Sequence, residues 1–94
     1  GTEGKIKAIE FARTKKKPFF GICLGLQLSI IEFSRNVVGI KDATSMEFTD
    51  KGSFVVHYMQ GQTKDGSKGA SMRLGAYDCD LAAGSLAEKI YGSK

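Results

Sequence analysis

Between residues 5 and 16 the apolar side chains Ala8, Ile9, Phe11 and Ala12 fall on one broad helical face, while Lys5, Lys7 and Glu10 lie mostly elsewhere. That spacing predicts a surface helix over 5–16. Pro18 cannot continue it, and KPFFGIC, 17–23, predicts a short strand whose near-continuous apolar character suits burial on both faces of a parallel sheet. Over 24–35 two apolar stripes run along a second helix, Leu24/Leu28/Ile31 and Leu26/Ile30/Phe33, on opposite sides. Such a helix is expected to be covered on both sides. From 37 to 52 no strong period emerges, only a short apolar segment and turns. SFVVHYMQ, 53–60, is rich in β-branched and aromatic residues and predicts a strand, and MRLGAYDCDL, 72–81, is a second strand candidate. The Gly/Ser/Lys stretch between them, 61–71, has no means of burying itself and is expected to be a mobile loop. Ser85 and Glu88 have capping-box spacing ahead of Ile90 and Tyr91, and Gly92 is placed to close that last short helix.

Helix, strand, helix, then strands is the order of an α/β layered domain. It also looks unfinished, because only one clear buried parallel-type strand is present and the last helix needs a sheet to pack on. Composition narrows the function classes. At 94 residues the chain is one small domain or part of a larger one. Its net charge of +4 is mildly basic, but acidic residues are interspersed and no dense arginine patch occurs, so nucleic acid is not an expected partner. The run of Lys15, Lys16 and Lys17 reads as a solvated helix end. Two cysteines, Cys23 and Cys79, read as free thiols in a reducing compartment rather than a disulfide framework. The longest apolar run is too short to span a bilayer and GTEGKIKA lacks a signal-peptide core, which points to a cytoplasmic protein without a membrane partner.

GICLGLQ, 21–27, carries the chemistry. Strand, G-x-C-x-G, then helix is the arrangement of a nucleophile elbow. In so tight a turn, side chains two residues either side of the nucleophile are expected to collide with backbone, and Gly21 and Gly25 stand at those positions. Cys23 would project at a helix amino terminus, where unpaired N–H groups favour the thiolate, the attacking species. The Leu24 N–H is placed to hydrogen-bond the oxyanion formed when a carbonyl is attacked. Taken alone, the motif leaves equally open a buried cysteine in a helix–strand turn.

The surrounding residues carry a resemblance. GTEGKI before the first helix, GxCxGxQ, the IEFSRN ending of the second helix, and the pairing of ATSMEF with SMRLG together resemble the glutamine amidotransferase domain of CTP synthases, over nearly all of the chain. The resemblance implies a three-layer α/β fold with a parallel or mixed sheet and flanking helices, glutamine amidotransferase-like (flavodoxin-like). Of it, residues 1–94 would be the central part of a single domain, incomplete in this chain and without the synthase (amidoligase) domain. It implies that Cys23 attacks the side-chain amide of L-glutamine, releasing ammonia and leaving a glutamyl thioester that water hydrolyses. In the family a synthase domain of the same polypeptide uses ATP and magnesium to aminate UTP to CTP, a step of pyrimidine biosynthesis. These 94 residues themselves would hold no cofactor and no metal. Leu24 matches the oxyanion position, and Leu24, Gly25, Leu26 and Gln27 match the segment lining the glutamine site. Glu47 matches the glutamate that holds the substrate, whose α-ammonium calls for a charge-assisted partner; by itself Glu47 reads as a solvated loop carboxylate. Gly4, with Glu3 beside it, matches a lid loop responsive to the activator GTP, and Arg73 falls where the family has an arginine tied to GTP activation, though otherwise it reads as a strand-edge charge. Full-length members form homotetramers.

The match has two gaps. The base and its orienting carboxylate, an H-P-E-type motif in the family, do not occur here, and neither does the glycine-rich turn that supplies a second oxyanion N–H. The single histidine, His57 in FVVHYM, stands where the family has no catalytic residue and reads as a strand residue facing solvent or a neighbour. The 94 residues alone are therefore expected not to hydrolyse glutamine. Leu26 stands where Met is frequent, a volume-conserving exchange. Two other readings stay open: an amidotransferase of another pathway, such as GMP, anthranilate or carbamoyl phosphate synthesis, and a noncatalytic or redox domain in which Cys23 is structural.

Overall fold

The computed structural model describes residues 1–58 and 78–92, and the chain divides into two compact units, 1–64 and 65–94. The expected loop at 61–71, Arg73 and most of the strand expected at 72–81 lie outside the described residues.

In the first unit, helix α1 spans Thr2–Thr14 and helix α2 spans Leu24–Phe33. A π-helical turn, Ser34–Val38, follows α2 directly. The Gly39 and Ile40 N–H groups both donate to the Ser34 carbonyl, at 3.0 and 2.9 Å, and Gly39 takes φ 95° to end the helix. Two short strands come next, β1 (Ala43–Ser45) and β2 (Ser53–Val56). They pair in parallel, Ala43 with Ser53, Thr44 with Phe54 and Ser45 with Val56, so a bulge leaves Val55 as the extra residue. A parallel return in so few residues is feasible because β1 is only three residues long, about 10 Å of strand to retrace. The unit is thus α/β with a small parallel sheet. In the second unit a short helix, α3, spans Leu86–Tyr91.

One core holds the first unit. Ile6 and Ile9 of α1 bury against Leu28 and Ile31 of α2, and Leu24, Phe48, Val55 and Val56 pack on the same cluster. Each fully buried branched side chain contributes about 1.5–3 kcal/mol. Helix α1 and the strands therefore share one stripe of α2. The other stripe, expected to be covered, stays exposed: Leu26, Ile30 and Phe33 are 42–53% accessible. The buried face of α1 is likewise Ile6 and Ile9, while Ala8 and Phe11, expected inside, are exposed.

The strand expected over 17–23 does not form. No ladder partner lies beside it among the described residues, and Phe19, Phe20 and Ile22 are exposed. Conversely β1 arises in a stretch without periodicity. Its residues Ala43, Thr44 and Ser45 are all buried, placed by pairing with β2 rather than by an apolar pattern. Asp42 supports that pairing, its carbonyl accepting from the Ser53 N–H at 3.1 Å and its carboxylate from the Ser53 hydroxyl at 2.8 Å. Residues 78–81 take no regular structure, contrary to the expected strand. The last helix does follow its caps. The Ser85 hydroxyl accepts from the Glu88 N–H, the Glu88 carboxylate accepts from the Gly84 N–H, and the Gly92 N–H donates to the Glu88 carbonyl. Ile90 and Tyr91 are exposed in that unit.

Candidate functional site

The chain enters α2 through a tight turn. The Gly25 N–H donates to the Ile22 carbonyl at 2.9 Å, and Cys23, second in that turn, has φ 52° and ψ −119°. Those angles belong to the first central position of a type II′ turn, where glycine is the usual occupant because a Cβ is strained there. A cysteine therefore holds a glycine's conformation, and it caps a helix while doing so. Its carbonyl accepts from the Gln27 N–H at 3.1 Å, while the Leu24 and Leu26 N–H groups donate to no backbone carbonyl among the described residues. Both are the unsatisfied donors of a helix amino terminus, beside an exposed free thiol.

The glycines flanking Cys23 are not equivalent. A Cβ on Gly21 would lie 2.9 Å from the Gly25 carbonyl carbon, its oxygen and the Phe19 ring, so the close approach expected of this turn is real at Gly21. A Cβ on Gly25 would meet nothing within 4 Å, and the collision expected there is absent. The reason is geometric: the backbone of Gly25 is what Gly21 packs against, while its own Cα faces open space.

The remaining site residues are spread through the first unit. Gln27 is half-buried and its Oε1 is enclosed without a hydrogen-bond partner. Glu47 follows β1, half-buried, with its N–H donating to the Ser45 hydroxyl at 3.1 Å. Gly4, expected in a lid loop, lies in the first turn of α1, because the helix begins at Thr2; its neighbour Glu3 pairs with Arg35 at 2.9 Å. His57 sits just past β2, exposed, with Nδ1 3.2 Å from the Tyr58 carbonyl oxygen, and no hydrogen bond joins it to Cys23. Cys79 is a second exposed free thiol. No group of three or more His, Cys, Asp or Glu side chains that could hold a metal occurs among the described residues. No helix among them is long and apolar enough to cross a membrane.

One charged cluster was not anticipated from the chain. Glu32 of α2 is 1% exposed and is gripped by Arg13 of α1, whose Nε and Nη2 each donate to the carboxylate at 2.9 Å. The Asn36 amide adds a third donor group at 2.8 Å. Bonding to Arg13 holds the Glu32 carboxyl below its ordinary range against the opposing effect of burial, and the same contact raises the Arg13 guanidinium. A glutamate between two large apolar residues, Ile31 and Phe33, as the single charge on its helix was the available signal.

Comparison with known proteins adds to this geometry. The chain matches the family described as "Glutamine amidotransferase class-I" over residues 1–93. It is similar to proteins named CTP synthase from Geotalea uraniireducens (56% identical over 94 residues, 99% of this chain and 18% of that protein) and Cytophaga hutchinsonii (55% over 93 residues, 98% of this chain and 17% of that protein). Bdellovibrio bacteriovorus has another, 56% identical over 95 residues, covering 97% of this chain and 18% of that protein. The chain thus spans less than a fifth of the length of the relatives it matches.

Proposed function

The chain belongs to the class-I glutamine amidotransferases, and from that premise we propose that Cys23 is the nucleophile of a glutaminase. The observation that carries the reading is a cysteine in the positive-φ position of the turn that heads α2. Of the two described non-glycine residues with positive φ, Lys16 follows the end of α1, whereas Cys23 heads a helix, and strain of this kind clusters at functional sites. Here it presents a thiol, rather than a bare glycine, beside the unsatisfied N–H groups of a helix.

In the proposed reaction the Cys23 thiolate adds to the side-chain carbonyl carbon of L-glutamine. The carbonyl oxygen takes negative charge and the Leu24 N–H donates to it. The C–N bond then breaks, the nitrogen takes up a proton and leaves as ammonia, and a glutamyl thioester remains on Cys23. Water adds to the thioester, the C–S bond breaks, and glutamate and the thiol are released. Leu24, Gly25, Leu26 and Gln27 line the substrate, and Glu47 holds the α-ammonium group.

We read this glutaminase as part of a CTP synthase, the name its relatives carry: a cytoplasmic ligase in which a synthase domain of the same polypeptide takes up the ammonia and uses ATP and magnesium to convert UTP to CTP. On that reading the full domain is a three-layer, flavodoxin-like α/β fold, the assembly is a homotetramer, and GTP activates it through Gly4 and Arg73. The family's histidine and glutamate complete the triad, and a polypeptide of these 94 residues alone gives no turnover.

Intact and peptide-resolved mass spectrometry, before and after incubation with a glutamine-analogue electrophile, tests the assignment. One adduct on Cys23, slowed by excess glutamine and absent from Cys79, is the expected result. Equal labelling of Cys23 and Cys79, indifferent to glutamine, would overturn it in favour of a structural or redox cysteine.

A further inference from the structure

A strained turn persists only where its surroundings over-determine it, and the chain leading into Cys23 supplies little local restraint. The Lys17 N–H donates to the Ala12 carbonyl at 2.8 Å, and the next hydrogen-bonded group along the chain is the Ile22 carbonyl; residues 18–21 make none among the described residues. Phe20 is 86% exposed. Where the turn sits is therefore decided by where α1 ends relative to α2.

Arg13 and Glu32 meet at that junction. Arg13 lies in the last turn of α1, Glu32 one residue before the end of α2, and their contact closes residues 13–32 into a ring that contains the whole connecting segment and the elbow. The contact is a planar fork on a buried carboxylate, which fixes direction as well as distance. The Asn36 amide also donates to the carboxylate, at the Oε2 that accepts from Arg13 Nη2. Beside the contact lies a half-open groove of about 200 Å³, lined by Ile9 and Arg13 of α1, Lys17 and Phe19 of the segment, and Ser29, Glu32 and Phe33 of α2. The segment touches α2 closely at Gly21, and before that contact its travel is limited by how α1 is held on α2, through the Ile6 and Ile9 packing and through closure of the ring.

We infer that Arg13 and Glu32 are positioning residues, a clasp that holds Cys23 in its positive-φ conformation at the head of α2. The consequence for glutamine chemistry rests on the function proposed above; the clasp itself does not.

The test compares Glu32→Gln and Arg13→Lys, which keeps the charge but loses the fork. Arg35→Gln serves as control, since it removes the Glu3 pair and the bond to the Ala43 carbonyl without touching the ring. Two readouts report on Cys23: the strong intraresidue amide-to-Hα contact in NMR that a positive φ produces, and its rate of alkylation by iodoacetamide relative to Cys79 in the same molecule. Iodoacetamide recognises no glutamine, so failure of the glutaminase reading would leave both readouts untouched. Both clasp variants are expected to weaken the NMR contact and to lower the Cys23 to Cys79 ratio about two- to five-fold, the worth of a helix amino terminus to an anion. The control is expected to do neither. If Glu32→Gln does not fold, Arg13→Lys decides. An unchanged NMR contact and ratio in a folded clasp variant, or an equal fall in Arg35→Gln, overturns the inference.

Discussion

Replacing either glycine of the elbow by alanine separates two explanations of why the motif contains them. Gly21→Ala places a methyl group 2.9 Å from two backbone atoms of Gly25. Backbone cannot rotate away as a side-chain tip can, so the turn must open. Overpacking of this kind costs about 1–3 kcal/mol. Gly25→Ala places its methyl in open space inside α2, where alanine is favoured over glycine by up to about 1 kcal/mol. The two substitutions, four residues apart and chemically identical, are thus expected to move stability in opposite directions, separated by about 1–4 kcal/mol. Urea unfolding followed by circular dichroism reads this directly. With a slope of about 1–2 kcal/mol per molar for a chain of this size, the midpoints of the two variants should differ by at least about 0.5 M. Equal destabilisation by both would refute the geometry, because it would mean that the elbow demands glycine on each side of Cys23. A neutral Gly21→Ala would show that the turn is looser than its 2.9 Å approach implies. Gly25→Ala also separates stability from function, since a methyl there stands on the turn proposed to line glutamine, and a more stable variant whose Cys23 labels more slowly with the glutamine-analogue electrophile is the expected combination.

Two further outcomes follow from the packing and the clasp. Leu28 is 1% exposed and Leu26 is 53% exposed, so Leu28→Ala should cost about 2–5 kcal/mol and lower the melting temperature by at least about 8 °C, while Leu26→Ala should stay within about 0.5 kcal/mol. Because Glu32 titrates lower in the folded chain than its ordinary value, its contribution to stability is complete above about pH 4.3 and is lost as the pH falls through the folded value. Glu32→Gln should therefore flatten the acid limb of the stability profile, and an identical acid limb in the variant would show that the Arg13 contact is not what lowers the glutamate.

What could be read along the chain, and what could not, divides by the range of the interaction. The caps of α3 are legible because Ser85, Glu88 and Gly92 act within a few residues of one another. The helix after the elbow is legible for the same reason, as is the requirement for a small residue at Gly21. The stripes of α2 were only half legible. Periodicity shows that Leu24, Leu28 and Ile31 share a face, but whether the Leu26 face is covered depends on a partner that no local pattern specifies. The same dependence explains the two strands. KPFFGIC has a buried strand's composition without a ladder among the described residues, and ATS has a ladder without the composition, since pairing with Ser53, Phe54 and Val56 is what buries it. Cys23 joins the two ranges. Its spacing between glycines announces the turn, yet a glycine's backbone angles on a cysteine are a cost that the local sequence would relieve if left alone. The residues that close the chain around it, Arg13 and Glu32, stand nineteen positions apart and carry no motif. A candidate nucleophile can thus be named from its neighbours in sequence, while the contacts proposed to hold its conformation are seen only from its neighbours in space.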